Sequence, residues 1–155
     1  MSSSRVLPFR HSAASKTDER RPAIRVLVVD DEEPMRRFVD TVLRDAGYET
    51  TLASDGVDAI GISVKAPAFN LLITDEMMPR MAGHQLARYM RERYLDIKVL
   101  YLSGYRDHLL REKGSLWADE AFLDKPCTPE QLLQAVSILL FGPLTETKPE
   151  NAERP

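Results

Sequence analysis

Short apolar runs alternate with helix-length amphipathic stretches over residues 24–142 of this 155-residue chain. The first run, Arg25 to Val29, ends in Asp30-Asp31, and a helix is expected to open at Glu33-Pro34, because proline is tolerated in a first helical turn. Met35, Phe38, Val39, Val42 and Leu43 then recur at i, i+3, i+4, i+7 and i+8, one stripe of a helix that Gly47 ends. A second strand is expected over about Tyr48 to Ala53. After Ser54-Asp55-Gly56 a weaker helix runs through Val57, Ile60 and Val64, interrupted by Gly61. Asn70 to Thr74 is almost continuously apolar, the pattern of a strand covered by helices on both faces, so it belongs at the centre of a sheet.

Past a turn at Pro79 to Gly83, the pattern predicts a helix over about His84 to Tyr94, a strand over Lys98 to Leu102, a helix over about Asp107 to Lys113 and a strand over Glu120 to Leu123. The last helix opens at Thr128-Pro129-Glu130-Gln131, with Thr128 as N-cap, Pro129 at N1 and Gln131 at N3. Leu132, Leu133, Val136, Leu139 and Leu140 give it a wide apolar face, and Gly142-Pro143 stops it. Five successive βα units predict an α/β fold, a doubly wound parallel sheet with helices on both faces. Residues 24–142 are expected to form one domain. Residues 1–23 and 143–155, polar and without an apolar period, are expected to be flexible tails.

Composition narrows the function. A formal net charge of −3 and a pI near 5.7 supply no general attraction to nucleic acid or to an anionic membrane. Cys127 is the only cysteine, which excludes an intramolecular disulfide and a cysteine-built metal site and agrees with a reducing compartment. No run approaches the roughly 18 apolar residues of a membrane span, and the N-terminus lacks the apolar stretch of a secretory signal. A cytoplasmic protein, monomeric or weakly dimeric, with no direct nucleic-acid contact and no membrane insertion is expected.

The chemistry lies at strand ends. Asp30 and Asp31 follow the first strand, Asp75 the third, Ser103 the fourth and Lys125 the fifth. In a parallel sheet these ends share one edge, where ligands bind in open α/β folds. Mg²⁺ takes one or two carboxylates and phosphate oxygens at near-octahedral geometry, and Asp30, Asp31 and Asp75 supply such ligands; Mn²⁺ is the alternative ion. Phosphoryl transfer to a carboxylate needs in-line positioning and charge neutralisation, which Lys125 and the Ser103 hydroxyl can assist. The blander reading of Asp30 and Asp31, as caps of the following helix, explains neither Asp75 nor Lys125. Phe122 alone reads as core, and His11, His84 and His108 as solvated or half-buried residues rather than metal ligands.

Val26-Leu27-Val28-Val29-Asp30-Asp31-Glu32, Leu71 to Pro79, Leu100 to Tyr105 and Phe122-Leu123-Asp124-Lys125-Pro126, taken together, resemble the receiver domains of bacterial two-component response regulators over about Ile24 to Phe141. The resemblance implies a flavodoxin-like sheet of strand order 2-1-3-4-5. It implies Asp75 as the phosphoacceptor, charged by a histidine kinase or a histidine phosphotransfer protein. It also implies Asp31 as direct Mg²⁺ ligand, Asp30 as ligand through water and the Met77 backbone carbonyl as a further ligand. Ser103 and Phe122 resemble the switch pair, and Lys125-Pro126 the family's cis peptide.

Such a protein is a regulatory phosphoacceptor rather than an enzyme, and signals to a downstream target protein through the face formed by the fourth helix, fifth strand and fifth helix. With few residues after Phe141, a stand-alone receiver without an output domain is expected. Ala82 stands where these domains often carry Asp, and the bulky Met77 and Tyr105 flank Asp75 and Ser103. Two rivals remain. An aspartate-nucleophile phosphatase needs a second aspartate two residues beyond the nucleophile, yet Asp75 is followed by Glu76 and Met77. A phosphorylation-independent adaptor with a receiver fold would not need the full acidic and lysine set.

Overall fold

The computed structural model describes residues 22–143, and residues 1–21 and 144–155, which hold most of the two expected tails, lie outside them. Strands β1 (Arg25–Val29), β2 (Glu49–Ala53), β3 (Leu71–Thr74), β4 (Lys98–Ser103) and β5 (Glu120–Asp124) alternate with helices α1 (Glu33–Asp45), α2 (Gly56–Lys65), α3 (Gly83–Arg93), α4 (Arg106–Lys113) and α5 (Pro129–Phe141). All pairings are parallel, in the order β2-β1-β3-β4-β5, so β3 is central as its unbroken apolar run requires.

Side chains alternate across the pleat and build two cores. Leu27, Val29, Leu72, Val99 and Tyr101 meet Ala59 of α2, Leu86 and Met90 of α3 and Leu109 of α4. Val26, Val28, Leu71, Ile73, Leu100 and Leu102 meet Val39 and Leu43 of α1 and Leu132 and Val136 of α5. Each fully buried Leu or Val contributes about 1.5–3 kcal/mol relative to exposure, which makes the sheet a rigid platform for whatever its ends carry. The cap of α5 forms as its sequence dictates: Thr128 Oγ1 accepts from the Gln131 amide at 3.1 Å, and Gln131 Oε1 accepts from the Thr128 amide at 2.9 Å.

The helix expected through Val57, Ile60 and Val64 forms as α2, but the valines are not its buried face. Gly56, Ala59 and Ser63 face the sheet, while Val57 and Val64 are exposed. A Cβ at Gly56 would lie 2.8 Å from Met81 Sδ, so the start of this helix packs tightly against the loop before α3. Elsewhere the limits shift only slightly: β4 runs on to Ser103 and β5 to Asp124. Parallel register places the carboxyl ends of β1, β3, β4 and β5 on one edge, through Val29↔Thr74, Thr74↔Tyr101 and Ser103↔Asp124.

Candidate functional site

At that edge Asp30, Asp75 and Lys125 converge from β1, β3 and β5. The Lys125 ammonium lies 2.8 Å from Asp30 Oδ2, 3.0 Å from Glu32 Oε1 and 3.1 Å from Asp75 Oδ2. The carboxylates of Asp30, Glu32 and Asp75 each offer an oxygen within 4.8 Å of the others. An all-oxygen anionic set of this kind fits a hard cation such as Mg²⁺ and not a thiophilic one. Asp30 and Asp75 are buried, whereas Glu32 is exposed.

Burial raises the Asp30 carboxyl above the ordinary carboxylate value, only partly offset by hydrogen bonds from Lys125 and the Glu32 amide. Burial pulls the Lys125 ammonium the other way, yet its bonds to Asp30 and Glu32 and the Asp75 charge win and push it above its ordinary value. The ammonium therefore stays charged and serves as a built-in counter-ion for the acidic cluster.

Local backbone geometry aims Asp75. Its Oδ1 accepts from the Glu76 amide at 2.7 Å and lies 3.4 Å from the Met77 amide, which leaves Oδ2 toward Lys125. Its carbonyl accepts from the Thr74 hydroxyl at 2.8 Å. The Gly83 amide returns to the Glu76 carbonyl at 2.9 Å, closing the loop between β3 and α3. Ala82 offers no side-chain cap to α3, and Gln85 Oε1 instead accepts from the Ala82 amide at 2.9 Å. Arg80 sits at φ 69° in this loop, and its guanidinium pairs with Asp55, the N-cap of α2. The Asp58 amide and Arg80 together hold the Asp55 carboxyl below its ordinary range.

Ser103 ends β4 fully buried; its Oγ accepts from the Tyr105 amide at 3.2 Å and its carbonyl accepts from the Lys125 amide at 3.1 Å. Phe122 is half-buried, with the Arg106 guanidinium 4.3 Å from its ring centroid. Lys125-Pro126 is cis. A cleft of about 570 Å³ opens beside Asp75 and Lys125, walled by Pro34, Met35, Gly104 and Tyr105.

Asp31 does not join the group. It is exposed, and Glu32, which the sequence reading left out of the site, stands in the cluster in its place. Both lie in the same short acidic run after β1, and nothing in its spacing tells which carboxylate turns inward. Also missed was Glu76, whose fully buried carboxylate holds His84 and His108. These partners are 8 and 32 residues away, beyond any local pattern.

The model of the response regulator receiver domain matches residues 26–137. The chain belongs to that family. This receiver is 33% identical to the response regulator receiver protein CpdR of Brucella abortus over 118 residues, 76% of this chain and 98% of that protein. It is 34% identical to the response regulator MprA of Mycobacterium tuberculosis over 131 residues, 84% of this chain but 54% of that one, so it spans about half of such longer relatives. Among solved structures, the chemotaxis protein CheY4 of Vibrio cholerae superposes with TM-score 0.69 at 32% identity, covering 77% of this chain and all of CheY4. The response regulator TrrA of Thermotoga maritima, solved in complex with Mg²⁺-BeF, gives TM-score 0.66 at 31% identity, over 76% of this chain and 99% of TrrA. The receiver thus has the flavodoxin-like, CheY-like fold and is a module of two-component signalling. No helix among the described residues is long and apolar enough to cross a membrane.

Proposed function

We propose that residues 24–142 act as a phosphoacceptor receiver in a two-component or phosphorelay system, taking a phosphoryl group from a phosphohistidine donor onto Asp75. The observation that carries this reading is the Lys125 ammonium set between Asp30, Glu32 and Asp75, 3.1 Å from the outward oxygen of Asp75 at the mouth of the cleft. Asp75 Oδ2 attacks phosphorus, the P–N bond of the phosphoimidazole breaks, and its electron pair returns to the ring nitrogen of the donor. The transition state resembles metaphosphate, so the protein contributes position and charge rather than covalent help. Lys125 neutralises one equatorial oxygen, and the Ser103 hydroxyl, by exchanging its contact with the Tyr105 amide, donates to another.

Asp30 and Asp75 would hold Mg²⁺, or Mn²⁺ in its place, with Glu32 as the third carboxylate already at hand and the Met77 carbonyl as a further donor. Asp31 would enter that shell by turning inward from its exposed position. When bound, the ion supplies neutralisation of the charge on the transferring phosphoryl oxygens.

The output is conformational, not enzymatic. Movement of Ser103 toward the phosphoryl group vacates space beside β4 into which the Phe122 ring turns, altering the face made by α4, β5 and α5 that a downstream target protein reads. The donor would be a histidine kinase or a histidine phosphotransfer protein, in the cytoplasm. The test is intact mass after incubation with a small phosphoramidate, with and without Mg²⁺. One added phosphoryl group on the parent in the presence of the ion, absent from Asp75→Ala, supports the proposal; an equal adduct on Asp75→Ala contradicts it.

A further inference from the structure

The side chain next to the phosphoacceptor has connections of its own. Glu76 is fully buried, and a buried carboxylate is costly unless hydrogen-bonded. Three donors satisfy it. The His84 amide reaches Oε1 at 2.9 Å, while the imidazoles of His84 and His108 approach Oε2 through Nδ1 at 2.7 and 3.2 Å. His84 belongs to the first turn of α3 and His108 to α4. The Glu76 amide meanwhile donates to Asp75 Oδ1 at 2.7 Å. One residue therefore grips the phosphoacceptor carboxylate with its main chain and α4 with its side chain.

Helix α4 is weakly held by apolar packing. Leu109 is its one buried side chain among those described, Leu110 is partly exposed, and the helix lacks a side-chain cap at Tyr105. Its position depends on polar contacts at three points. Lys113 pairs with the buried Glu120 at 2.8 Å and fixes the C-terminal end to β5. Arg106 pairs with Asp124 at 3.1 Å, but both are exposed and that pair is weakened by solvent. In the N-terminal half the Arg106 guanidinium also stacks 4.3 Å from the Phe122 ring centroid, and His108 on the buried Glu76 is the partly buried ion contact there.

We propose that Glu76 is a positioning residue that couples the phosphoacceptor to α4 through His108, a route that passes through neither Ser103 nor Phe122. A phosphoryl group on Asp75 Oδ2 redistributes charge on the carboxylate whose Oδ1 the Glu76 amide holds, and any displacement of that amide carries the Glu76 carboxylate and hence His108. The N-terminal half of α4 then swings about its Lys113–Glu120 anchor. The reverse also holds, because coupling between two sites is reciprocal: releasing His108 must change how readily Asp75 takes its ligand.

This inference rests on the phosphoacceptor reading, and the experiment separates the two. Beryllofluoride with Mg²⁺ serves as the phosphoryl probe. Trp117, the only tryptophan, lies just beyond α4 with Lys113 4.2 Å and Arg91 4.6 Å from its ring, and reports on the helix without a label. Beryllofluoride binding is followed by ¹⁹F resonance, and α4 by Trp117 emission and by amide hydrogen exchange over residues 106–113. In the parent, binding changes both α4 signals. His108→Ala, at a half-buried site, and the shape-conserving Glu76→Gln are expected to bind the probe with an apparent affinity altered about fivefold or more and to lose most of the α4 response. The double variant should add nothing beyond either single one. His108→Ala that binds with parental affinity and shows the full α4 response overturns the inference alone. A parent that binds no beryllofluoride overturns the phosphoacceptor reading with it.

Discussion

A β-carbon on Gly83 would overlap the main-chain oxygen of Asp75. The first residue of α3 is thus packed against the backbone of the proposed phosphoacceptor, and the same glycine donates its amide to the Glu76 carbonyl. Gly83→Ala must push α3 or the Asp75 loop aside. Overpacking of this kind costs about 1–3 kcal/mol, and the displaced carboxylate should take up phosphoryl groups more slowly. Urea denaturation and phosphorylation time courses read the two effects. Parental stability together with parental rate would show that the loop is free to yield.

Lys125 pairs with all three carboxylates of the acidic cluster, and its removal should reveal how much they depend on it. Lys125→Ala leaves the carboxylates of Asp30, Glu32 and Asp75 without their ammonium, and breaking a largely buried pair costs about 3 kcal/mol. The deficit should narrow as Mg²⁺ is added, since the proposed ion would neutralise the same carboxylates. Thermal melts across a Mg²⁺ series decide the matter. A deficit that does not change with the ion would separate Lys125 from the metal-binding set.

The acidic cluster also predicts a pH dependence. Burial raises Asp30 from its ordinary value of 3.8. The folded protein therefore binds a proton that the unfolded chain releases, over the window from 3.8 up to the raised value. Stability contributed by this group is fully present below that window and lost as pH rises through it. Lys125 remains charged throughout. Asp30→Asn, which carries no ionised carboxyl, should be more stable than the parent at pH 7, with the advantage shrinking toward pH 4. An advantage that grows on acidification would reverse the sign of the Asp30 contribution.

These relationships differ in how far they could be read from the chain alone. Strands β1, β3 and β4 declared themselves because buried parallel strands are continuous apolar runs, and α5 did so because Thr128, Pro129 and Gln131 are each suited to one capping position. Asp30, Asp75 and Lys125 followed from their places after strands, once the strands lay side by side. The inward face of α2 did not, since a helix that packs closely buries Gly56, Ala59 and Ser63 and turns its valines to solvent. Glu32 and Asp31 are neighbours in a loop without a period, so orientation is decided by Lys125, 93 residues from Glu32. Glu76, His84 and His108 meet only because α3 and α4 pack on the same face of the sheet, and no local propensity encodes that.

Phosphoryl lifetime should depend on two side chains beside the cleft. Met77 and Tyr105 are partly exposed, and Tyr105 lines the cavity that contains Asp75. Their bulk would restrict the line of approach of water to the proposed phosphoryl group on Asp75 Oδ2. Met77→Asn and Tyr105→Ala are each expected to speed hydrolysis by about tenfold, a barrier change of roughly 1.4 kcal/mol. Loss of label from purified phosphoprotein gives the rate, and variants no faster than the parent would show that neither side chain shields the phosphoryl group.

The phosphoryl group is proposed to sit on one particular carboxylate, that of Asp75. Borohydride reduces an acyl phosphate to an alcohol and so converts a phosphorylated aspartate into homoserine, which tandem mass spectrometry locates in the sequence. After treatment with phosphoramidate and Mg²⁺, homoserine is predicted at residue 75 and nowhere else. Homoserine at residue 30 or 31 with none at residue 75, or none at any position despite an added phosphoryl mass, would contradict it.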